Sequence, residues 1–289
     1  MTTVDVVEFT DPACPFAYSA EPVRWQLAWR FGEALDWTTR VVGLARDAAA
    51  QEAKGFDAQR NAAILRHFDS YGMPLADAER RDPAGTWDAC RLYVAARGLD
   101  PDGALRLMRA LRIAGLAEAR SIDHPDVLSD AVRTAGLPTD ELDARLADDA
   151  TEQAFLDDLA AARTPGRVAL ALDHKLADVE PDWDGPQGDS GRRYTCPSYR
   201  FTVDGRTAEV PGFQPWNAVE AVLANLAPQL ERRPWPTDPI EALRWAPVPL
   251  ATQEVAALLG EDRDAARERL QQGGATEHQV GTDAFWTAA

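Results

Sequence analysis

The chain has 289 residues, of which 45% are hydrophobic and 27% charged, and its formal net charge at pH 7 is −17. That balance belongs to a globular protein with enough chain for one large domain or two. The carboxylate excess repels phosphate backbones and anionic membrane surfaces, and no apolar run reaches the roughly 18 residues of a membrane span, so neither nucleic acid nor membrane is an expected partner.

The opening "MTTVDVVEFTDP" enters a strand pattern directly, without a basic region followed by an apolar stretch. Three cysteines do not make a disulfide framework, and the expected compartment is the cytoplasm, where thiols are reduced. Residues 3 to 9 carry the β-branched enrichment of a strand, ended by Asp11 and Pro12. Val23, Leu27 and Phe31 follow at helical spacing, with Trp25 and Trp29 widening the face and Pro22 marking an early turn or a kink. Residues 36 to 44 read as a second strand, which makes a βαβ unit with a parallel pair.

From residue 56 alanine, leucine, arginine and acids dominate, and the spacing predicts four or five helices. Residues 173 to 193 are polar and turn-rich and read as a loop. "YTCPSYRFTVDGRTAEVPG" reads as a hairpin turning at Asp204 and Gly205, and "QPWNAVEAVLANLAPQL" as a closing helix. Six prolines between 228 and 249 predict a stiff linker, and helix, turn, helix and hairpin beyond it have the order of a small winged-helix module.

The chemistry centres on "FTDPACPFAYSAEP". Cys14 stands just before Pro15, a residue favoured at the first helical position. Unpaired amides at a helix start stabilise the thiolate, which is the nucleophilic form. A buried, inert cysteine under a tryptophan-rich helix is the competing reading.

This segment resembles the start of the DsbA-type thioredoxin-fold family, especially its cytoplasmic FrnE-like branch, in which a strand and Asp-Pro lead to Cys-Pro-x-Cys. More distantly it resembles the kappa-class glutathione transferases and the 2-hydroxychromene-2-carboxylate isomerases, which typically carry serine at the position of Cys14. The resemblance runs from residue 3 to about 227, through "TCPSYRFTVDG" and "VPGFQPWNAVEAVL". It implies an α/β architecture: a thioredoxin fold (1–55 and 166–227) split by an inserted α-helical domain (56–165). A Pro-rich linker (228–249) and a small C-terminal winged-helix-like α+β appendage (250–289) complete the expected organisation.

It further implies that Pro197 is the cis-proline and that Cys196, just before it, lies against Cys14. The chain departs from the family at Ala17, where the resolving cysteine belongs. A Cys-x-x-Cys cycle cannot close here, because release of a mixed disulfide needs a second thiol. What remains is thiol exchange through Cys14, with Cys196 as a displaced resolving thiol or as a small apolar filler. Pro15, Phe16, Ala17 and Pro197 are the expected substrate contacts.

The expected substrate is a protein or small-molecule thiol or disulfide. No cofactor is expected beyond a small thiol such as glutathione or an equivalent. The alternatives are a transferase- or isomerase-like enzyme using such a thiol, and a redox-inactive thioredoxin-fold protein that binds a peptide or partner. No metal is expected, since two cysteines fall short of a zinc set and the four histidines (67, 124, 174, 278) show no ligand spacing.

Cys90 reads as core, as do at least two of Trp25, Trp29 and Trp37. The acids of loop 173–193 read as a solvated face. Residues 250 to 289 hold seven acids against three arginines, so the winged-helix order there points to a packing or protein-interaction appendage rather than a DNA reader.

Overall fold

The computed structural model describes residues 2–289. In chain order, β1 (Val4–Thr10) leads into α1 (Pro15–Ser19) and α2 (Glu21–Phe31), and β2 (Leu35–Val41) follows. Next come α3 (Ala48–Ala53), α4 (Ala58–Arg66), α5 (Trp87–Leu99), α6 (Pro101–Arg112), α7 (Pro125–Ala135), α8 (Thr139–Leu146), α9 (Asp149–Ala162) and α10 (Arg167–Ala171). Strands β3 (Leu176–Asp178), β4 (Arg192–Tyr194), β5 (Ser198–Val203) and β6 (Arg206–Val210) precede α11 (Trp216–Leu226). The chain closes with α12 (Pro239–Trp245), β7 (Leu250–Ala251), α13 (Thr252–Leu259), α14 (Arg263–Gln272), β8 (Thr276–Val280) and β9 (Asp283–Thr287).

These elements form two compact units, Met1–Val42 with Gln153–Trp235, and Gly43–Glu152 with Pro236–Ala289. The first holds a mixed sheet of order β2-β1-β5-β6, in which β1 and β2 are parallel and the other pairs antiparallel. Its β5–β6 turn has Asp204 at φ 50° and Gly205 at φ 72°. Two successive positive φ values suit the twist of a two-residue hairpin, and Asp-Gly tolerates them.

One sheet face is covered by α2 and α11. Val4, Val6, Leu27, Phe201, Val219 and Leu223 form its centre. The other face stacks Phe9 on Tyr194 at 4.2 Å and buries the Arg163 guanidinium. Arg163 donates to the carbonyls of Val42 and Leu159 and to Glu180, and lies over the Trp183 ring. Burying that charge is tolerable because a carboxylate and two carbonyls answer it. Trp25 and Trp29 are buried, and Trp37 is half-buried with the Arg24 guanidinium over its ring.

The structure differs from the sequence reading in several places. Six helices, α4 to α9, occupy the block expected to hold four or five, because the long acidic run breaks at Ala147 and Asp148 into α8 and α9. Loop 173–193 contains the β3–β4 ribbon, whose three-residue strands are too short to leave an alternating pattern. The segment 228–249 is not a bare linker. Arg233 N–H donates to the Arg30 carbonyl and the Trp29 indole donates to Pro234, so this stretch straps α2, and Pro239–Trp245 is helical with Ile240 and Leu243 buried.

In the second unit, the winged-helix-like segment belongs to the same compact body as the inserted helices rather than standing as a separate appendage. Glu254 of α13 pairs with the buried Arg109 of α6, and Leu75 and Thr282 exchange two hydrogen bonds of 3.1 and 2.8 Å. Gly281 (φ 55°) sits so close that a Cβ there would meet the Leu75 carbonyl oxygen at 2.0 Å. Only glycine fits that approach.

Phe201 lies at the centre of the first unit's core with no solvent exposure. Phe201→Ala is expected to cost about 3–5 kcal/mol through lost burial and a residual cavity, read from the urea unfolding midpoint. Thr202→Ala, on the half-buried opposite face, is expected to cost less than about 1 kcal/mol.

Candidate functional site

The site forms where β1 and β5 end side by side. Their register pairs Phe9 with Ser198, so the turn leaving β1 meets the turn entering β5. In the first turn the Asp11 carboxylate accepts the Ala13 N–H at 3.0 Å and the Asp11 carbonyl accepts the Cys14 N–H at 3.2 Å. This Asx-type turn sets Cys14 in extended conformation (φ −78°, ψ 114°) as the cap of α1, with Pro15 at the first helical position. In the second turn the Cys196–Pro197 peptide bond is cis. The Thr195 hydroxyl donates to the Lys175 carbonyl, and the Ser198 hydroxyl donates to the Thr195 carbonyl while accepting the Gly212 N–H.

Cys14 Sγ donates to the Cys196 carbonyl oxygen at 3.5 Å, across 182 positions of sequence. Both cysteines are reduced and buried, with 6% and 5% of their surfaces exposed. Burial alone would raise both pKa values. Instead the Cys14 thiol is lowered from the usual cysteine value, first because the Cys196 thiol donates to its thiolate, and then through the N–H groups of Ala17 and Phe16; burial and the Asp11 charge oppose this. Cys196 is pushed well up by burial, by its bond to Cys14, and by the Cys14 and Asp11 charges. Two like thiols are thereby shifted in opposite directions. Since α1 is only five residues long, the amides next to the sulfur act here rather than a helix macrodipole.

The predicted contact residues divide. Phe16 is 44% exposed and its ring lies 5.9 Å from that of Phe213, making an aromatic lip beside the sulfur. Pro15 is half-buried, and Pro197 is buried. Ala17 is 3% exposed, so its side chain is closed to a substrate and only its N–H serves the site. Among the described residues no cluster of three or more His, Cys, Asp or Glu side chains offers a metal site.

Neither a scan against protein-family models nor a search of curated proteins finds a match. Solved structures do match. A protein assigned as a protein disulfide isomerase from Nitrosomonas europaea aligns with TM-score 0.57 at 15% identity, over 78% of this chain and 98% of that one. The cytosolic disulfide reductase DsbM from Pseudomonas aeruginosa aligns with TM-score 0.51 at 19% identity, over 77% and 100%. A protein from Streptomyces coelicolor assigned as a DsbA oxidoreductase aligns with TM-score 0.52 at 22% identity, over 80% and 92%. The fold is the DsbA-type split thioredoxin fold.

Within that fold, sequence reasoning missed two residues. In sequence Asp11 marks only a strand end, yet it is fully buried and its charge acts on both thiols; the spacing Asp-x-x-Cys, which allows an Asx turn to seat the cysteine, is the available signal. Phe213 lies in a turn whose aromatic residue gave no reason to expect it beside Phe16.

The pH dependence of Cys14 alkylation tests this arrangement. The rate midpoint is expected below the ordinary cysteine value of about 8.5. Cys196→Ala should move it up by removing the leading donor, and Asp11→Asn should move it down by removing the opposing charge.

Proposed function

We propose that this protein is a thiol–disulfide oxidoreductase in which Cys14 is the nucleophile and Cys196 the resolving thiol. The observation that carries the reading is the hydrogen bond from Cys14 Sγ to the Cys196 carbonyl oxygen at 3.5 Å, with the two thiols shifted in opposite directions by their mutual contact. The DsbA-like folds of its structural neighbours, DsbM among them, support the general class.

The reaction begins with the Cys14 thiolate attacking one sulfur of a substrate disulfide. A Cys14–substrate disulfide forms, the other substrate sulfur leaves as a thiolate, and it takes up a proton. Before this step Cys196 is held protonated, partly by its bond to the Cys14 thiolate and by that thiolate's charge. Once Cys14 is in the mixed disulfide both of those causes vanish, which lowers the pKa of Cys196, while burial (the largest cause) and Asp11 still raise it against the opposing Arg193 charge.

Cys196 then loses its proton and attacks Cys14 Sγ. The Cys14–Cys196 disulfide forms, and the second substrate thiol is released. The substrate disulfide gains two electrons and two protons, and the protein dithiol loses them. Two molecules of a small thiol such as glutathione reset the pair and leave as their disulfide. The resolving thiol acts second because its target, the Cys14 sulfur of the mixed disulfide, exists only after the nucleophile has reacted.

The reducing direction suits a cytoplasmic compartment, as does the description of DsbM as cytosolic. No helix among the described residues is long and apolar enough to cross a membrane.

Reduced protein is to be mixed with oxidised glutathione and followed by intact-mass spectrometry after acid quenching. The native chain is expected to accumulate the Cys14–Cys196 disulfide with release of both glutathione thiols. Cys196→Ser is expected to stop at a stable glutathione adduct on Cys14, and Cys14→Ser to show no turnover above background. An unchanged rate in Cys14→Ser would overturn the assignment, and full release of both thiols by Cys196→Ser would remove the resolving role.

A further inference from the structure

The unit that contains the inserted helices holds a cavity of about 360 Å³ that shares no residue with the cysteine site. Three helices wall it. Leu92 comes from α5, Leu128 and Val132 lie one turn apart on α7, and Leu142 and Leu146 lie one turn apart on α8. Each i, i+4 pair presents one apolar stripe to the same space. Leu92, Val132 and Leu142 are buried and make the floor, whereas Leu128 and Leu146 are half-buried and reachable from outside. The volume lies in the range of small-molecule pockets, about 300–1,000 Å³, which are mostly apolar with a few placed polar groups.

The polar groups here are predominantly of one sign. Asp88, Asp123 and Asp143 line the cavity with a single cation, Arg91. Arg91 is already answered by Glu152 at 2.8 Å. Asp123 is fixed in the wall, one oxygen accepting the Gly85 N–H at 2.7 Å and the other the Ser121 hydroxyl at 2.6 Å. Asp88 and Asp143, from α5 and α8, are exposed and form no ion pair among the described residues. No aromatic side chain lines the cavity, so a cation would be recognised there by carboxylates rather than ring faces.

We propose that this cavity binds a small organic cation, with an apolar body against the leucine floor and a protonated amine between Asp88 and Asp143. An uncharged ligand with the same body gains the floor but leaves both carboxylates without a counter-charge. An anion meets Asp88 and Asp143 at the entrance and Asp123 in the wall, and is excluded. The proposal goes beyond the thiol chemistry and does not depend on it.

Three probes with one indole body separate charge from shape: tryptamine, its neutral alcohol tryptophol, and the anion indole-3-propionate. Calorimetric titration into the full-length reduced protein at low salt should show saturable tryptamine binding. Tryptophol is expected to bind about fivefold more weakly, the scale of a solvent-facing ion pair, and indole-3-propionate not at all. The double variant Asp88→Asn, Asp143→Asn should bring tryptamine down to the tryptophol affinity. Asp140→Asn with Glu141→Gln, on α8 but outside the lining, should leave it unchanged and so controls for the general acidity of the chain.

Leu128→Trp, which fills the cavity from its half-buried edge, should abolish both tryptamine and tryptophol binding; because the aspartates are exposed, their variants test the site even if this one folds poorly. Equal binding of all three probes, or tryptamine affinity unaffected by the double Asp variant, would overturn the proposal.

Discussion

The close approach of two turns at one end of the mixed sheet governs what this molecule can do. Strands β1 and β5 run antiparallel with Phe9 opposite Ser198, and that register brings Cys14 against Cys196. A slip of one residue would invert every side chain of one strand, sending Val4 and Val6 out of the core and turning Phe9 away from Tyr194. The hydrophobic pattern that fixes the core therefore also fixes the site. Core and chemistry depend on the same pairing.

Two buried thiols would ordinarily both stay protonated, since a low dielectric disfavours the charged form. Here the environment is unsymmetrical. The Cys14 sulfur has the amides of Phe16 and Ala17 and the thiol of Cys196 as donors, while Cys196 faces an anionic neighbour and the Asp11 charge. The same contact therefore lowers the pKa of Cys14 and raises that of Cys196. The buried Asp11 works against ionisation of either thiol, yet its backbone and side chain build the turn that seats Cys14. Geometry gained there is set against electrostatic cost.

Much of the fold was legible because its signals are local. The β-branched run before Asp11, the helical spacing of Val23, Leu27 and Phe31, and Asp-Gly at 204 and 205 each encode an element within a few residues. Cys14 was legible for the same reason, with proline beside it. The less legible features depend on contacts distant in sequence. The group that most lowers the Cys14 pKa is the side chain of Cys196, 182 positions away, and no spacing rule announces it. The proline-rich stretch 228–249 looks stiff in sequence, but whether it spans a gap or lies on α2 is decided by Trp29 and Arg30, some two hundred positions earlier. Likewise the union of the winged-helix-like segment with the inserted helices rests on Arg109 meeting Glu254 and on Gly281 meeting Leu75.

That same separation has a consequence for biosynthesis. Cys14 leaves the ribosome long before Cys196 is translated; at about 5–20 residues per second the interval is roughly 10–40 s. Throughout it the nascent chain carries its cysteine without the donor that gives it an acidic thiol, and β1 without the antiparallel neighbour that encloses it. The surroundings that lower the Cys14 pKa are thus incomplete until the polypeptide is about two-thirds made.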